Sequence, residues 1–160
     1  MRHVILYTLF CLLLATPIAT FAQDLPIPRF VSLRSDEVNV RGGPGTRYSI
    51  RWVFKRKHLP IEITQEFEHW REVRDHEGAT GWIHKSMLSG ARSALVLDDA
   101  QVLHRAADTT SSGLLLAQPG VVGRILACQR DWCRLHIDGR KGWMPKTAIW
   151  GVYPNEIIED

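Results

Sequence analysis

One pattern is written twice in this chain. The first pass is Trp70-Arg71-Glu72-Val73, a polar turn, then Gly81-Trp82-Ile83-His84-Lys85. The second is Trp132-Cys133-Arg134-Leu135, a polar turn, then Gly142-Trp143-Met144-Pro145-Lys146. Trp70 and Trp82 are 12 positions apart, and Trp132 and Trp143 are 11 apart. Self-similarity over a block of about sixty residues means two copies of one small domain. A domain of that size buries only about 60% of its unfolded surface and is marginal alone. The two copies are therefore expected to share an interface, and the short joint Gly90-Ala91-Arg92-Ser93 agrees. So small a unit has little room for a buried catalytic apparatus, which favours a binding or scaffolding role.

Each copy reads as a series of short strands. In the first, expected over 30–90, Val38 and Val40 alternate with Asn39 and Arg41. Gly42-Gly43-Pro44-Gly45 follows as a loop. Strands are predicted over 50–54, over 59–64 with Ile61 and Ile63 on one face, from Trp70, and over 81–84. Phe67-Glu68-His69 and Asp75-His76-Glu77-Gly78 are turns, and Lys85 to Leu88 is one tight helical turn. The second copy, expected over 94–152, repeats the order with strands over 101–104, 114–117, 121–128, 132–137 and 142–144. Its Asp138-Gly139 is a strong two-residue hairpin signal. Five short strands per copy, no long helix and near-regular turns define an all-β chain of two small barrels. Residues 23–29, with Pro26 and Pro28, read as an extended lead-in, and 153–160 as a tail.

The N-terminus carries Met1-Arg2-His3, an apolar run from Val4 to Ala15, then small neutral residues ending Thr20-Phe21-Ala22. This predicts a secretory signal over 1–22, cleaved before Gln23, too short for a permanent membrane anchor. Taking 22 from 160 residues leaves 138, and losing Arg2 from 20 basic residues leaves 19 against 17 acidic, a net charge of +2. That balance argues against nucleic acid as a partner. A basic run, Arg51 to His58, is a solvated strand end or a contact for an anionic partner. Export makes a disulfide between the two remaining cysteines, Cys128 and Cys133, the default.

The run Val38-Asn39-Val40-Arg41-Gly42-Gly43-Pro44-Gly45, followed by Gly81-Trp82-Ile83, resembles the bacterial SH3-like (SH3b) domain, and Gly142-Trp143 belongs to a degenerate second copy. The resemblance implies tandem SH3-like barrels in a periplasmic or secreted envelope protein. Such domains often accompany enzymes that cut peptidoglycan, where they are thought to hold the wall. The expected function is non-catalytic binding of peptidoglycan or an envelope partner. The alternative is a periplasmic protein–protein adaptor, and a remote alternative is a cell-wall hydrolase.

Aligning the copies on Trp70 and Trp132 gives an offset of 62, which places Cys128 on Glu66 and Cys133 on Arg71. Facing positions across a hairpin lie close enough to be bridged by a disulfide. One copy is thus expected to tie this hairpin covalently, the other by Glu66–Arg71. A cysteine nucleophile with His136 as base is disfavoured, since Cys133 and His136 are three apart on a strand and point to opposite faces. The histidines show no metal-ligand spacing and the acidic residues select no catalytic pair, so no metal, cofactor or catalytic residue is expected. Trp82 and Trp143 read as scaffold. Arg41-Gly42-Gly43-Pro44-Gly45 has no sequence counterpart after Arg105, so the second copy is expected to have lost that loop. Tyr48 and Trp52 likewise have no aromatic match there. Trp52 fits either a recognition surface or the inter-domain joint. Arg41, Tyr48 and Trp52 are the expected contact patch, being residue types that dominate binding hot spots.

Overall fold

The computed structural model describes residues 25–159. The predicted signal segment over 1–22 lies outside the described residues. The first copy comprises β1 (Arg29–Leu33), β2 (Val38–Arg41), β3 (Ile50–Phe54), β4 (Pro60–Phe67), β5 (Trp70–Arg74), β6 (Thr80–His84), a 3₁₀ turn (Lys85–Met87) and β7 (Leu88–Ser89). The second comprises β8 (Ser93–Val96), β9 (Gln101–His104), β10 (Gly113–Ala117), β11 (Val122–Cys128), β12 (Trp132–Ile137), β13 (Arg140–Pro145), a 3₁₀ turn (Lys146–Ala148) and β14 (Ile149–Trp150). The strand orders are β3-β2-β6-β5-β4-β1-β7 and β10-β9-β13-β12-β11-β8-β14. Element by element these are one order repeated, and the expected tandem SH3-like all-β architecture is what the chain adopts.

Each copy has seven strands rather than the five expected. The additions are β1 and β7, with β8 and β14 as their repeats. β7 and β14 are two residues long. β1 and β8 are buried along nearly every position, so they show no alternation to read. That burial has one cause: these strands lie where the domains meet. Leu95 of β8 belongs to the first domain's core cluster, and Val122 and Trp150 pack against it. Phe30 of β1 meets the Trp150 ring edge-on at 5.0 Å and the Tyr153 ring at 4.7 Å. Ser93 Oγ donates to the His58 carbonyl (2.7 Å), and Arg56 Nη1 to the Gly120 carbonyl (2.5 Å). The marginal copies do complete each other.

The interface also buries a charge. Glu62 is 2% exposed although alternation along β4 would turn it to solvent. Arg74 donates to its Oε2 through Nε (2.8 Å) and Nη2 (2.5 Å), and the Tyr153 hydroxyl to its Oε1 (2.7 Å). Burial, with that bond to Glu62, holds the Tyr153 hydroxyl well above the usual tyrosine range. Tyr153→Phe is expected to destabilise by about 1–3 kcal/mol, because a buried carboxylate oxygen loses its donor. Chemical denaturation of the variant checks this.

The C-terminal segment is not a loose tail. Lys146 Nζ donates to the carbonyls of Pro154 (3.0 Å) and Glu156 (2.7 Å), and Cys128 and Ile158 exchange backbone hydrogen bonds (2.8 and 3.1 Å). Arg92 pairs with Glu156 and also donates to the Gly151 carbonyl (2.7 Å). Burial opposes the Glu156 charge, yet hydrogen bonds from Arg92 and the Tyr153 amide hold its carboxyl below the usual carboxylate range. A folded-state pKa below the unfolded value, about 4.3 for glutamate, gives stability that is present above that pH and lost as pH falls through the folded value. The thermal midpoint is therefore expected to fall below about pH 4.3, and less steeply in Glu156→Gln. Melting curves across that range check it.

The hairpins are tied as the alignment implies. Cys128 and Cys133 are register partners joined by a disulfide. Glu66 and Arg71 are register partners joined by an ion pair of 2.9 Å, to which Arg29 adds a second at 2.5 Å. The turn itself is shorter than expected. Phe67 pairs with Trp70, leaving Glu68-His69, with Glu68 at φ 48°.

Candidate functional site

The glycine-proline loop is held from within. Arg41, at the end of β2, donates through Nη1 to the carbonyls of Thr46 (3.0 Å) and Tyr48 (2.8 Å). The Tyr48 ring closes over Gly43, where a Cβ would lie 2.6 Å from the ring. Only glycine admits that approach, which explains the residue type. Arg47 stacks on Tyr48, 5.0 Å from the ring centroid, and donates to its hydroxyl (3.2 Å).

The second copy has not lost this loop; it has rebuilt it with other side chains. Arg41 and His104 occupy the same place, each paired with the tryptophan of a Gly-Trp dipeptide. From there three backbone hydrogen bonds repeat. Gly42 to Ser49 becomes Arg105 to Ser112 (3.0 Å each), Gly45 to Gly43 becomes Asp108 to Ala106, and Tyr48 to Gly45 becomes Ser111 to Asp108. The Arg41 brace on the Tyr48 carbonyl becomes His104 Nδ1 against the Ser111 carbonyl (3.1 Å). Backbone bonds hold the shape, so the glycine-proline signature can be erased without unfolding the loop.

Arg41 also lines a groove of about 270 Å³ on the first domain. Its principal walls are Glu37, Asn39, Arg41, Trp70 and His84. Asn39 and Arg41 share a face of β2 by alternation. Trp70 and His84 are register partners on β5 and β6, with rings 5.4 Å apart at 82°. His84 Nδ1 is engaged with Ser86 Oγ (2.7 Å), which fixes the ring. The remaining Arg41 donors, Nη2 and Nε, make no hydrogen bond among the described residues. The groove thus offers an aromatic face, an amide, a cation and one carboxylate.

Of the expected patch, Arg41 lines this groove, and Tyr48 and Trp52 do not. Tyr48 shapes the adjoining loop. Trp52 packs against the first domain's core, where a Cβ on Gly81 would lie 3.3 Å from its ring. The joint is filled instead by Phe30, Trp150 and Tyr153. The groove residues Asn39, Trp70 and His84 were not in the expected patch. Trp70 could have been found from the repeat itself, as half of the doubled pattern, and His84 as its cross-strand partner.

Other chemistry finds little here. Cys128 and Cys133 are oxidised together, so neither is a thiolate, and the alternating burial of β12 sets Cys133 and His136 on opposite faces. Among the described residues no group of three or more His, Cys, Asp or Glu is placed to hold a metal ion.

Two repeated seven-stranded units, each with a Gly-Trp strand set against a loop-bearing β2 or β9, define a tandem SH3-like module. The chain belongs to the bacterial SH3 domain family, whose model matches residues 34–90 and again 98–151. Two solved structures are similar, NlpC2 and NlpC1 from Trichomonas vaginalis, each 12% identical with a TM-score of 0.37. They cover 81% and 82% of this chain, which spans about half of each, 50% and 48%. No curated protein matches the chain.

Proposed function

We propose that this is an exported, non-catalytic tandem SH3 protein whose first domain holds peptidoglycan, or another envelope component, in the Arg41–Trp70–His84 groove. One observation carries the reading: the groove sets a flat indole face beside a guanidinium with free donors. A sugar ring has an apolar face that can lie on an indole, and arginine suits the carboxylates of stem peptides. At about 270 Å³ the groove is smaller than the roughly 300–1,000 Å³ of sites that enclose a drug-sized ligand. It fits lateral contact with a polymer better than capture of a free metabolite. Bacterial SH3 domains are typically wall-binding, and they occur in extracellular or envelope proteins. A disulfide suits an oxidising compartment, and no described helix is long and apolar enough to cross a membrane. The groove holds one carboxylate where glycoside cleavage uses two, which supports binding without turnover.

Soluble muropeptides titrated into labelled protein should shift the amide signals of Asn39, Arg41, Trp70 and His84. Trp70→Ala should weaken binding about 30-fold, the effect of losing an aromatic hot spot of about 2 kcal/mol. Shifts confined to the second domain, or none, would overturn the reading, and muropeptide cleavage would overturn its non-catalytic part.

A further inference from the structure

A second cavity, of about 530 Å³, opens between the two domains. The segment between β3 and β4 supplies Arg56, Lys57 and His58; the joint supplies Arg92; β11 and β12 supply Arg124 and His136. Among the described residues no aspartate or glutamate lines it. Arg92 is neutralised by Glu156, but its Nε is buried with no hydrogen-bond partner among the described residues. Arg56 donates to a neutral carbonyl, that of Gly120, and keeps its charge. Lys57 and Arg124 form no ion pair among the described residues.

The placement is built by the sheet. Ser93 pairs with Arg124, and Arg124 with His136, so these three stand abreast on one face of β8, β11 and β12. Against that row stand Arg56 to His58 of the other domain. Like charges gathered in a cleft oppose folding, and their field is focused there by the low-dielectric walls on either side. Arg29 and Arg71, by contrast, share Glu66 as their counter-charge. Here the permanent charges of Arg56, Lys57 and Arg124 converge without a counter-charge among the described residues.

We propose that this inter-domain cleft binds a phosphorylated ligand bearing at least two negative charges. The guanidinium fork matches phosphoryl oxygens in pairs, and lysine adds a point charge. The volume lies within the roughly 300–1,000 Å³ of small-molecule sites. A ligand gripped by both walls would also lock the two domains together.

The probe is inorganic pyrophosphate, titrated calorimetrically into the purified protein, with citrate as a carboxylate of similar charge. One equivalent should bind, with an affinity that falls as salt screens the cleft. Lys57→Gln and Arg124→Gln should each weaken binding roughly tenfold by removing a charge-assisted contact. Both side chains are exposed, so melting curves should be unchanged. Absence of pyrophosphate binding, equal affinity in the double variant, or citrate binding as tightly as pyrophosphate would each overturn the proposal. Trp70→Ala should leave pyrophosphate binding intact, so this site and the groove stand or fall separately.

Discussion

Gly151→Ala is expected to be among the most damaging single substitutions in this protein, costing about 2–6 kcal/mol. Two independent terms produce that figure. Gly151 sits at φ +120°, where a side chain is strained, at roughly 1–3 kcal/mol. A Cβ there would also lie 2.2 Å from the Ser93 carbonyl oxygen and 3.1 Å from Pro60 Cβ. The first neighbour is backbone of β8, in the same domain, and cannot swing aside, so the end of β14 must shift away from β8, at about 1–3 kcal/mol for overpacking. The thermal midpoint should drop by roughly 10 °C or more. Gly90 is the control, since its φ is not positive and an added Cβ would meet nothing within 4 Å. Gly90→Ala should stay within about 0.5 kcal/mol of the parent. Equal midpoints for the two variants would mean that the close packing of Gly151 on β8 and Pro60 adds nothing.

Reducing the disulfide should destabilise the second domain and spare the first. The closed loop between Cys128 and Cys133 is short, and chain entropy gives about 2 kcal/mol for it. Reduction also loosens the anchor of the C-terminal segment, since Cys128 exchanges backbone hydrogen bonds with Ile158. The corresponding hairpin of the first copy rests on Glu66 with Arg71 and Arg29, which reductant does not touch. Amide exchange should therefore accelerate in β11 and β12 under reductant and stay unchanged in β4 and β5. Equal acceleration in both hairpins would contradict the assignment of the disulfide as a local tie. Cys128→Ala with Cys133→Ala should reproduce the reduced behaviour.

Much of the fold was legible in the sequence, and the rest fails for identifiable reasons. The repeat, the 3₁₀ turn after β6 and the pairing of Cys128 with Cys133 and of Glu66 with Arg71 follow from local patterns. β1 and β8 did not, because alternation vanishes when both faces of a strand are covered. Glu62 makes the same point: alternation sets it on an outward face, yet it is buried and bonded to the Tyr153 hydroxyl, 91 positions away. The loop of the second copy was hidden for the opposite reason. Its shape resides in backbone hydrogen bonds, and Ala106, Asp108 and Ser111 satisfy them without the glycines that announce the loop in the first copy. At the site, Arg41 was readable from its position beside the loop. Trp70 and His84 become neighbours only through the β5–β6 register.

The two copies thus share a scaffold and differ at its surface. The first places Arg41, Trp70 and His84 around a groove, where the second has His104, Trp132 and Pro145 at the matching register positions. His104 there stacks edge-on against Trp132 at 5.7 Å. We propose that the first domain contacts the envelope polymer and the second supports it. Co-sedimentation with purified sacculi tests this most directly, using the parent protein, Trp70→Ala and Trp132→Ala, each confirmed folded by circular dichroism. The parent and Trp132→Ala should sediment while Trp70→Ala stays in the supernatant. A parent protein left in the supernatant, or a Trp70→Ala variant that sediments like the parent, would contradict it.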